Sequence, residues 1–370
     1  MASIALDRGD VIVGVDTHKD QHVAVAIDGV GGLIDEPKFL DANNGGYAEL
    51  LAWARSLGKV HVFAVEGCGS YGIGLARFLR RHGHPPVEVS RPPRAGARRM
   101  SGKSDAIDAE HAARTALAGV GVVTPKLADG QVEAIRLVKI ARDTAVKAHT
   151  TAMITLKAVL VTADQDLRDQ LEPLSDFKLV TACSELDASA DLADPAVAMR
   201  HTLASLARRW FDLHAEIKTH SKHLKALTRA AAPQLLDAFG VGLDIAAQML
   251  ITAGDNADRV RSETAFAKMC GVAPIPTGSG KTSGRHRLNR GGNRQANAAL
   301  YRAVIVRLRW HAPTIAYLER RTTDGLSKKD IIRCLKRYLA RELFQLLPDV
   351  SAELAPGPSR ASRVDRLDDL

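Results

Sequence analysis

Four carboxylates stand out in this 370-residue sequence by their type and placing. Asp16 and Glu66 each follow directly on a run of mainly small or β-branched residues, Val11-Ile-Val-Gly-Val15 and Val60-His-Val-Phe-Ala-Val65. Such runs read as strands buried on both faces. Asp105 and Asp108 stand three apart at a helix start, so they share one helical face. Two or three convergent carboxylates can hold two Mg²⁺ ions roughly 4 Å apart, which activate a nucleophile and stabilise the leaving oxygen of a phosphodiester. Mg²⁺ suits such a set, because it accepts a few carboxylates and takes its other ligands from water and phosphate. Taken singly, each acid has a plainer reading. Asp105 and Asp108 could complement the positive end of their helix, and Asp16 could cap a turn. Taken together, behind two buried strands and beside Arg91, Arg94, Arg98, Arg99 and Lys103, they are better read as a metal site. Asp20, Asp28 and Glu110 lie near but fit less well.

A second stretch with chemical potential runs from Pro276 to Arg294 and is dense in glycine and base. Serine needs an environment that favours its alkoxide. Flanking glycines would let Ser279 approach a scissile phosphate, and Lys281, Arg285, Arg287 and Arg290 could offset the charge growing there. Ser283, also followed by glycine, is the alternative nucleophile. A loop that only grips phosphate is the bland reading. Gly278-Ser-Gly-Lys-Thr282 also looks like the end of a nucleotide-binding loop, but the leading glycine and the strand-to-helix context are missing.

The elements needed to position these groups can be read in order. Val11 to Asp16, His22 to Ile27 and Leu33 to Leu40 read as three antiparallel strands, with turn chemistry at Asp28-Gly-Val-Gly-Gly32. A helix over 47–57, a strand over 60–65, a helix ending near Arg81 and a short strand over 87–89 follow. That is the order of an RNase H-like fold, in which the fourth strand lies parallel to and beside the first. Asp16 and Glu66 would then share one sheet edge. A boundary is expected over Gly119 to Pro125, then a long helix from Gln131 to about Ala163 and a polar, turn-rich stretch from Thr181 to Pro195. A second long helix is expected from about Ala196 to Ala230. In it Leu203, Leu206, Trp210, Leu213, Ile217, His220, Leu224 and Leu227 alternate steps of three and four, a coiled-coil seam. The seam fits packing against the helix from Gln131 and pairing between subunits equally well. Phe239-Gly-Val-Gly242 resembles a helix-hairpin-helix turn, with a plain helix-helix turn at least as good a reading.

The balance of charge is +9, and its distribution says more than its sum. No acid occurs between Glu263 and Glu319, a stretch holding nine Lys or Arg residues, Arg294 among them. A polyanionic partner is expected there. The four cysteines are scattered without zinc-ligand spacing and read as reduced thiols. No apolar run reaches membrane-spanning length, and the N-terminus has no signal-peptide core, so a cytoplasmic protein is expected. The tail after Ala355 reads as disordered.

Gly14-Val-Asp-Thr-His-Lys-Asp20, Val65-Glu-Gly-Cys-Gly-Ser-Tyr-Gly72, Lys103-Ser-Asp-Ala-Ile-Asp-Ala109 and Ser279-Gly with Arg287-Leu-Asn-Arg-Gly-Gly-Asn293 resemble, in matching order, the IS-one-ten family of insertion-sequence transposases. The resemblance runs from about Val11 to Leu346. It implies bridge-RNA-guided DNA recombination and a RuvC-like domain with Asp16, Glu66, Asp105 and Asp108 as its acidic tetrad. It further implies Ser279 as the nucleophile that forms a transient phosphoserine link to DNA. The family pattern has Ser-Ser-Gly where this chain has Gly278 before Ser279.

The expected architecture is α/β plus α. Residues 1–125 would form the RNase H-like (RuvC-like) domain, 126–230 a long-helix coiled-coil insert, 231–348 a mainly helical, basic transposase domain, and 349–370 the tail. The expected nucleic-acid contacts are Arg94, Arg98, Arg99, Lys103, Lys281, Arg285, Arg287, Arg290 and Arg294. The expected partners are DNA at element ends and target, a non-coding bridge RNA, and further copies of the chain, as dimer or tetramer. Two rivals stay open. A metal-only junction resolvase or nuclease would hydrolyse DNA without an adduct, and a non-enzymatic binder would show only salt-sensitive binding.

Overall fold

A computed structural model describes residues 6–89, 104–126, 128–187, 192–256, 259–278, 286–288 and 291–348. The described residues fall into two compact units. One holds those up to Asp129 together with Ala253–Arg261, and the other holds Gly130–Thr252 and everything from Ser262 onward.

The first unit is built on a six-stranded mixed sheet. Its strands are β1 (Asp10–Thr17), β2 (Gln21–Asp28), β3 (Lys38–Asp41), β4 (Lys59–Glu66), β5 (Val87–Val89) and β6 (Val122–Val123), in the spatial order β3-β2-β1-β4-β5-β6. β1 runs antiparallel to β2 and parallel to β4, with Val15 opposite Val65. This agrees with the RNase H-like expectation for the first and fourth strands.

Period-two alternation divides the side chains of β1 between the two faces. Val11, Val13 and Val15 pack with Phe63 and Val65 of β4 under α1 (Asn44–Leu57) and α2 (Ile73–Arg81). Ile12 faces the other way, where Ala113 of α3 (Asp105–Leu117) covers it. The same alternation sends Gly14, Asp16 and Glu66 to the α3 side.

Three local expectations need correction. The third strand is only Lys38–Asp41 and not the whole of Leu33 to Leu40. Pro37 has no amide to donate to a ladder, the Asp35 carboxylate takes the amide of Glu36, and only an isolated bridge joins Leu33 to Ile27. The boundary at Gly119 to Pro125 contains β6, which pairs with β5. The stretch from Thr181 starts inside a helix, Asp176–Ser184. Near the boundary, the Asn256 side-chain amide donates to the Pro125 carbonyl at 3.2 Å, and Arg259 donates to the Ala253 carbonyl at 2.7 Å. The segment 253–261 is thereby held to the first unit.

The second unit is mainly helical. Its backbone is α4 (Gln131–Leu160), α5 (Gln165–Leu171), α6 (Asp176–Ser184) and α7 (Pro195–Ala231), then α8 (Pro233–Asp237), α9 (Leu243–Ala253) and α10 (Glu263–Met269). After the ribbon of β7 (Pro274–Pro276) and β8 (His286–Leu288) come α11 (Arg294–Trp310), α12 (Ala312–Thr323) and α13 (Lys328–Gln345). The α7 seam meets α4 of the same chain: Leu203, Ala207 and Trp210 share a core with Ala152, Leu156 and Leu160. Ala204, Ala207 and Thr228 are buried where the expected row had half-buried Leu206, Leu213, Ile217 and Leu227, so the packed face is rotated from the expected one. The turn at Gly240 (φ +74°) sits on α11, where the Arg307 guanidinium donates to the Phe239 carbonyl at 2.8 Å. It behaves as a plain helix-helix turn. The tail from residue 349 lies outside the described residues. Among the described residues, no helix is long and apolar enough to cross a membrane.

Candidate metal centre

Asp16 ends the buried run of β1, and the fold leaves it little water: it is 8% exposed. Glu66 ends the parallel neighbour β4. The two strand ends are tied together, since the Thr17 hydroxyl donates to the Glu66 carbonyl at 2.7 Å. The chain turns away immediately afterwards at Gly67, whose φ of +75° suits glycine.

Asp105 and Asp108 arrive on the first turn of α3. They come close because α3 is lined by alanine and crosses β1 at a glycine. Ala109, Ala112 and Ala113 are buried, and a Cβ built on Gly14 would lie 1.9 Å from the Ala109 carbonyl oxygen and 2.5 Å from the Ala113 nitrogen. No side chain fits between strand and helix there. Gly14 therefore sets the distance from α3 to the strand that carries Asp16.

His18 stands between the two elements. Its Nε2 lies 3.1 Å from Asp16 Oδ2 and 3.5 Å from Asp105 Oδ1. Asp16, His18 and Asp105 each offer a ligand atom, all within 4.8 Å of one another. Burial pushes the Asp16 carboxyl above its usual range. His18 pulls it back, and the carboxylates of Glu66, Asp108 and Asp105 push it up again. Glu66, Asp108 and Asp105 thus lie near enough to act on Asp16, and the group that lowers its pKa is the His18 imidazole. An oxygen-rich set of acids crowded round a desolvated carboxylate fits a bound divalent cation. Asp16, His18 and Asp105 could hold it, while the ligand atoms of Glu66 and Asp108 stand outside that group.

His18 received no role from its sequence position. Its signal was the Asp-x-His spacing at a strand end, but the second contact comes from Asp105, 87 positions further along.

The other predicted residues are less complete. Arg94, Arg98, Arg99, Lys103, Ser279, Lys281, Ser283, Arg285 and Arg290 lie outside the described residues. Arg287 is exposed on β8, paired in register with Ile275. Arg294 opens α11 and lines an open cavity of about 300 Å³ with Asn297, Tyr301 and Lys336. The run Gly278 to Thr282 falls in sequence between β7 and β8, and its residues from Ser279 on lie outside the described residues. Two arginines of the acid-free stretch serve the fold: Arg302 pairs with Asp244 at 2.7 Å, and buried Arg307 forks onto Glu342 with two contacts of 2.6 Å.

The sheet order agrees with an RNase H-like domain, and comparison with known proteins shows the family. A transposase family model of the DEDD, IS110 type matches residues 13–163, and one described as the transposase IS116/IS110/IS902 family matches residues 232–319. Together they span more than half of the chain, which belongs to this IS110-type transposase family. It is 27% identical over 110 residues to an uncharacterized 42 kDa protein of insertion element IS900 from Mycobacterium paratuberculosis, covering 30% of this chain and 28% of that one. It is 27% identical over 147 residues to an uncharacterized 43.6 kDa protein of insertion element IS110 from Streptomyces coelicolor, covering 39% of this chain and 36% of that one. The chain thus spans about a third of the length of these relatives.

Proposed function

We propose that this protein is a transposase that cleaves and exchanges DNA strands at the ends of an insertion sequence and at its target. The observation that carries the reading is the convergence of Glu66, Asp105 and Asp108 on buried Asp16. In this reading the cation is Mg²⁺, which when bound supplies Lewis-acid stabilisation of charge on the scissile phosphate. Asp16, fixed by the strand, and Asp105, fixed by the helix, hold their carboxylates in place without needing to reorganise. His18 orients both.

Ser279 is the nucleophile in this reading, carried on the connection between β7 and β8. Its Oγ forms a bond to phosphorus as the bond to the leaving deoxyribose oxygen breaks. The hydroxyl proton leaves Oγ, and the leaving oxygen takes up a proton. Exposed Arg287 and Arg294, with Arg94, Arg98, Arg99, Lys103, Lys281, Arg285 and Arg290, grip the phosphates. A non-coding bridge RNA selects donor and target by base pairing, and copies of the chain assemble to bring acids and serine to one phosphate. These finer points rest on the motif resemblance.

The test is an Mg²⁺-dependent covalent protein–DNA adduct, trapped on denaturing gels. It is expected for the native chain and absent in Ser279→Ala and Asp16→Asn. Hydrolysis without an adduct, unchanged in Ser279→Ala, would replace this reading with that of a metal-only nuclease, which the acid cluster equally supports. Recombination without added bridge RNA would remove the guide.

A further inference from the structure

The cavity at the start of α11 holds a cation that no carboxylate meets among the described residues. Arg294, Asn297, Ala298 and Tyr301 recur at helical steps of three and four, so one face of α11 forms a wall of the cavity. The opposite face carries Ala296, Ala299, Leu300 and Ala303 into the core. Lys336 of α13 completes the lining. From Arg333 to Arg341, α13 bears four cations, and three of them have a carboxylate partner. Arg333 pairs with Asp330 at 2.5 Å, while Arg337 and Arg341 share Glu263 at 3.1 and 2.8 Å. Lys336 instead donates to the Asn297 side-chain oxygen at 2.9 Å. The Asn297 amide nitrogen donates in turn to the Gly271 carbonyl at 2.9 Å, which fixes the amide and with it the direction of Lys336.

An ammonium has three donors, so two remain for a ligand. Burial first, and Arg333 second, push the Lys336 ammonium below its usual range, and a bound anion would relieve both. Exposed Arg294 adds a second cation to the lining. The rim is held in place, because a Cβ on Gly292 (φ +89°) would lie 2.5 Å from the Gly271 nitrogen.

We infer that this cavity seats one phosphodiester of a DNA strand, with Lys336 and Arg294 meeting its charge and Asn297 aiming Lys336. A volume of about 300 Å³ is at the small end for ligand sites and suits one linkage with its flanking sugars. The rim follows soon after β8, and β8 belongs to the ribbon whose connection carries Ser279. DNA is therefore the strand at hand in the function proposed above. The inference rests on that reading for its choice of DNA, but its test needs no cleavage.

Binding of the full chain to a DNA oligonucleotide, without Mg²⁺, is to be measured at several salt concentrations. Each phosphate contact contributes about 0.9 to the slope of log affinity on log salt. Lys336→Gln keeps an amide donor for Asn297 but loses the charge. It is expected to lower the slope by about one and, near 0.1 M salt, the affinity about tenfold. Lys336→Arg is expected to recover most of both. Ala298 is exposed on the cavity wall, so Ala298→Glu adds a carboxylate there without disturbing the core. It is expected to weaken binding at least tenfold against Ala298→Gln, with the two variants melting alike. An unchanged slope in Lys336→Gln, equal binding by the two Ala298 variants, or a loss confined to an RNA of the same sequence would overturn the inference. The covalent adduct at Ser279 is read separately: a chain that forms no adduct yet shows the Lys336 slope keeps this phosphate seat and refutes the serine chemistry.

Discussion

Two aspartates, one in each unit, have opposite surroundings. Asp16 is buried among Glu66, Asp105 and Asp108, with His18 the one group that lowers its pKa, which ends above the usual range. For Asp244, at the start of α9, burial also raises the pKa. There, however, the hydrogen bond and charge of Lys139, then Arg302 and Arg142, outweigh it and hold the carboxyl below the usual range. Lys139 is itself buried and is shared with Asp143 at 2.8 Å. The charge of Asp244 is thus met within the second unit, which gains a joint between α4, α9 and α11. In the first unit, carboxylates press on Asp16 in a confined place. Such crowding favours uptake of a cation.

The contrast can be broken first at Asp16. Asp16→Asn is expected to lower Mg²⁺-dependent cleavage on the order of a thousandfold, equivalent to several kcal/mol of transition-state stabilisation. A raised carboxyl pKa means that ionisation at neutral pH opposes folding. Metal-free Asp16→Asn is therefore expected to melt no lower than the native chain, and to lack the rise in melting temperature expected of the native chain on adding Mg²⁺. A fall in melting temperature without metal would place Asp16 among ordinary structural acids.

Gly14→Ala sharpens the comparison from the helix side. A Cβ there would push α3 off β1, at a cost of about 3 kcal/mol, the upper range for overpacking. Calorimetric Mg²⁺ affinity should fall with it, because Asp105 and Asp108 ride on α3. Native affinity in a destabilised Gly14→Ala would show that α3 need not be held so close.

Asp244→Asn is expected to cost about 2 kcal/mol, less than a fully buried pair, because the carboxylate keeps 36% of its surface in solvent. Its folded pKa is depressed, so its contribution is complete above the unfolded value of about 3.9 and is lost as pH falls further. Denaturant midpoints of native and Asp244→Asn chains should differ at pH 7 and converge below about pH 4. DNA cleavage, corrected for folded fraction, should not change.

The sequence was most legible where burial and chemistry coincide along one strand. The runs before Asp16 and Glu66 announce central strands, and Asp105 and Asp108 declare a helix start by their spacing. What could not be read depends on distant neighbours. The two residues of β6 are a strand only because β5 lies beside them. His18 gains its meaning from Asp105. The leucine row of α7 was visible as a seam, and the helix from Gln131 as one of its two possible partners, but the slight rotation of its packed face was not.

The strap at 253–261 has a consequence for how the gene can be shortened. Glu88 of β5 is raised in pKa by burial, and the cations that counter this are Arg259 first and Lys126 second. A polypeptide stopped anywhere before residue 253 keeps every acid of the metal centre yet loses Arg259, leaving a burdened glutamate one strand away from Glu66. Damage late in the reading frame therefore reaches back into the earlier half, and an autonomous N-terminal fragment would need a replacement for that arginine.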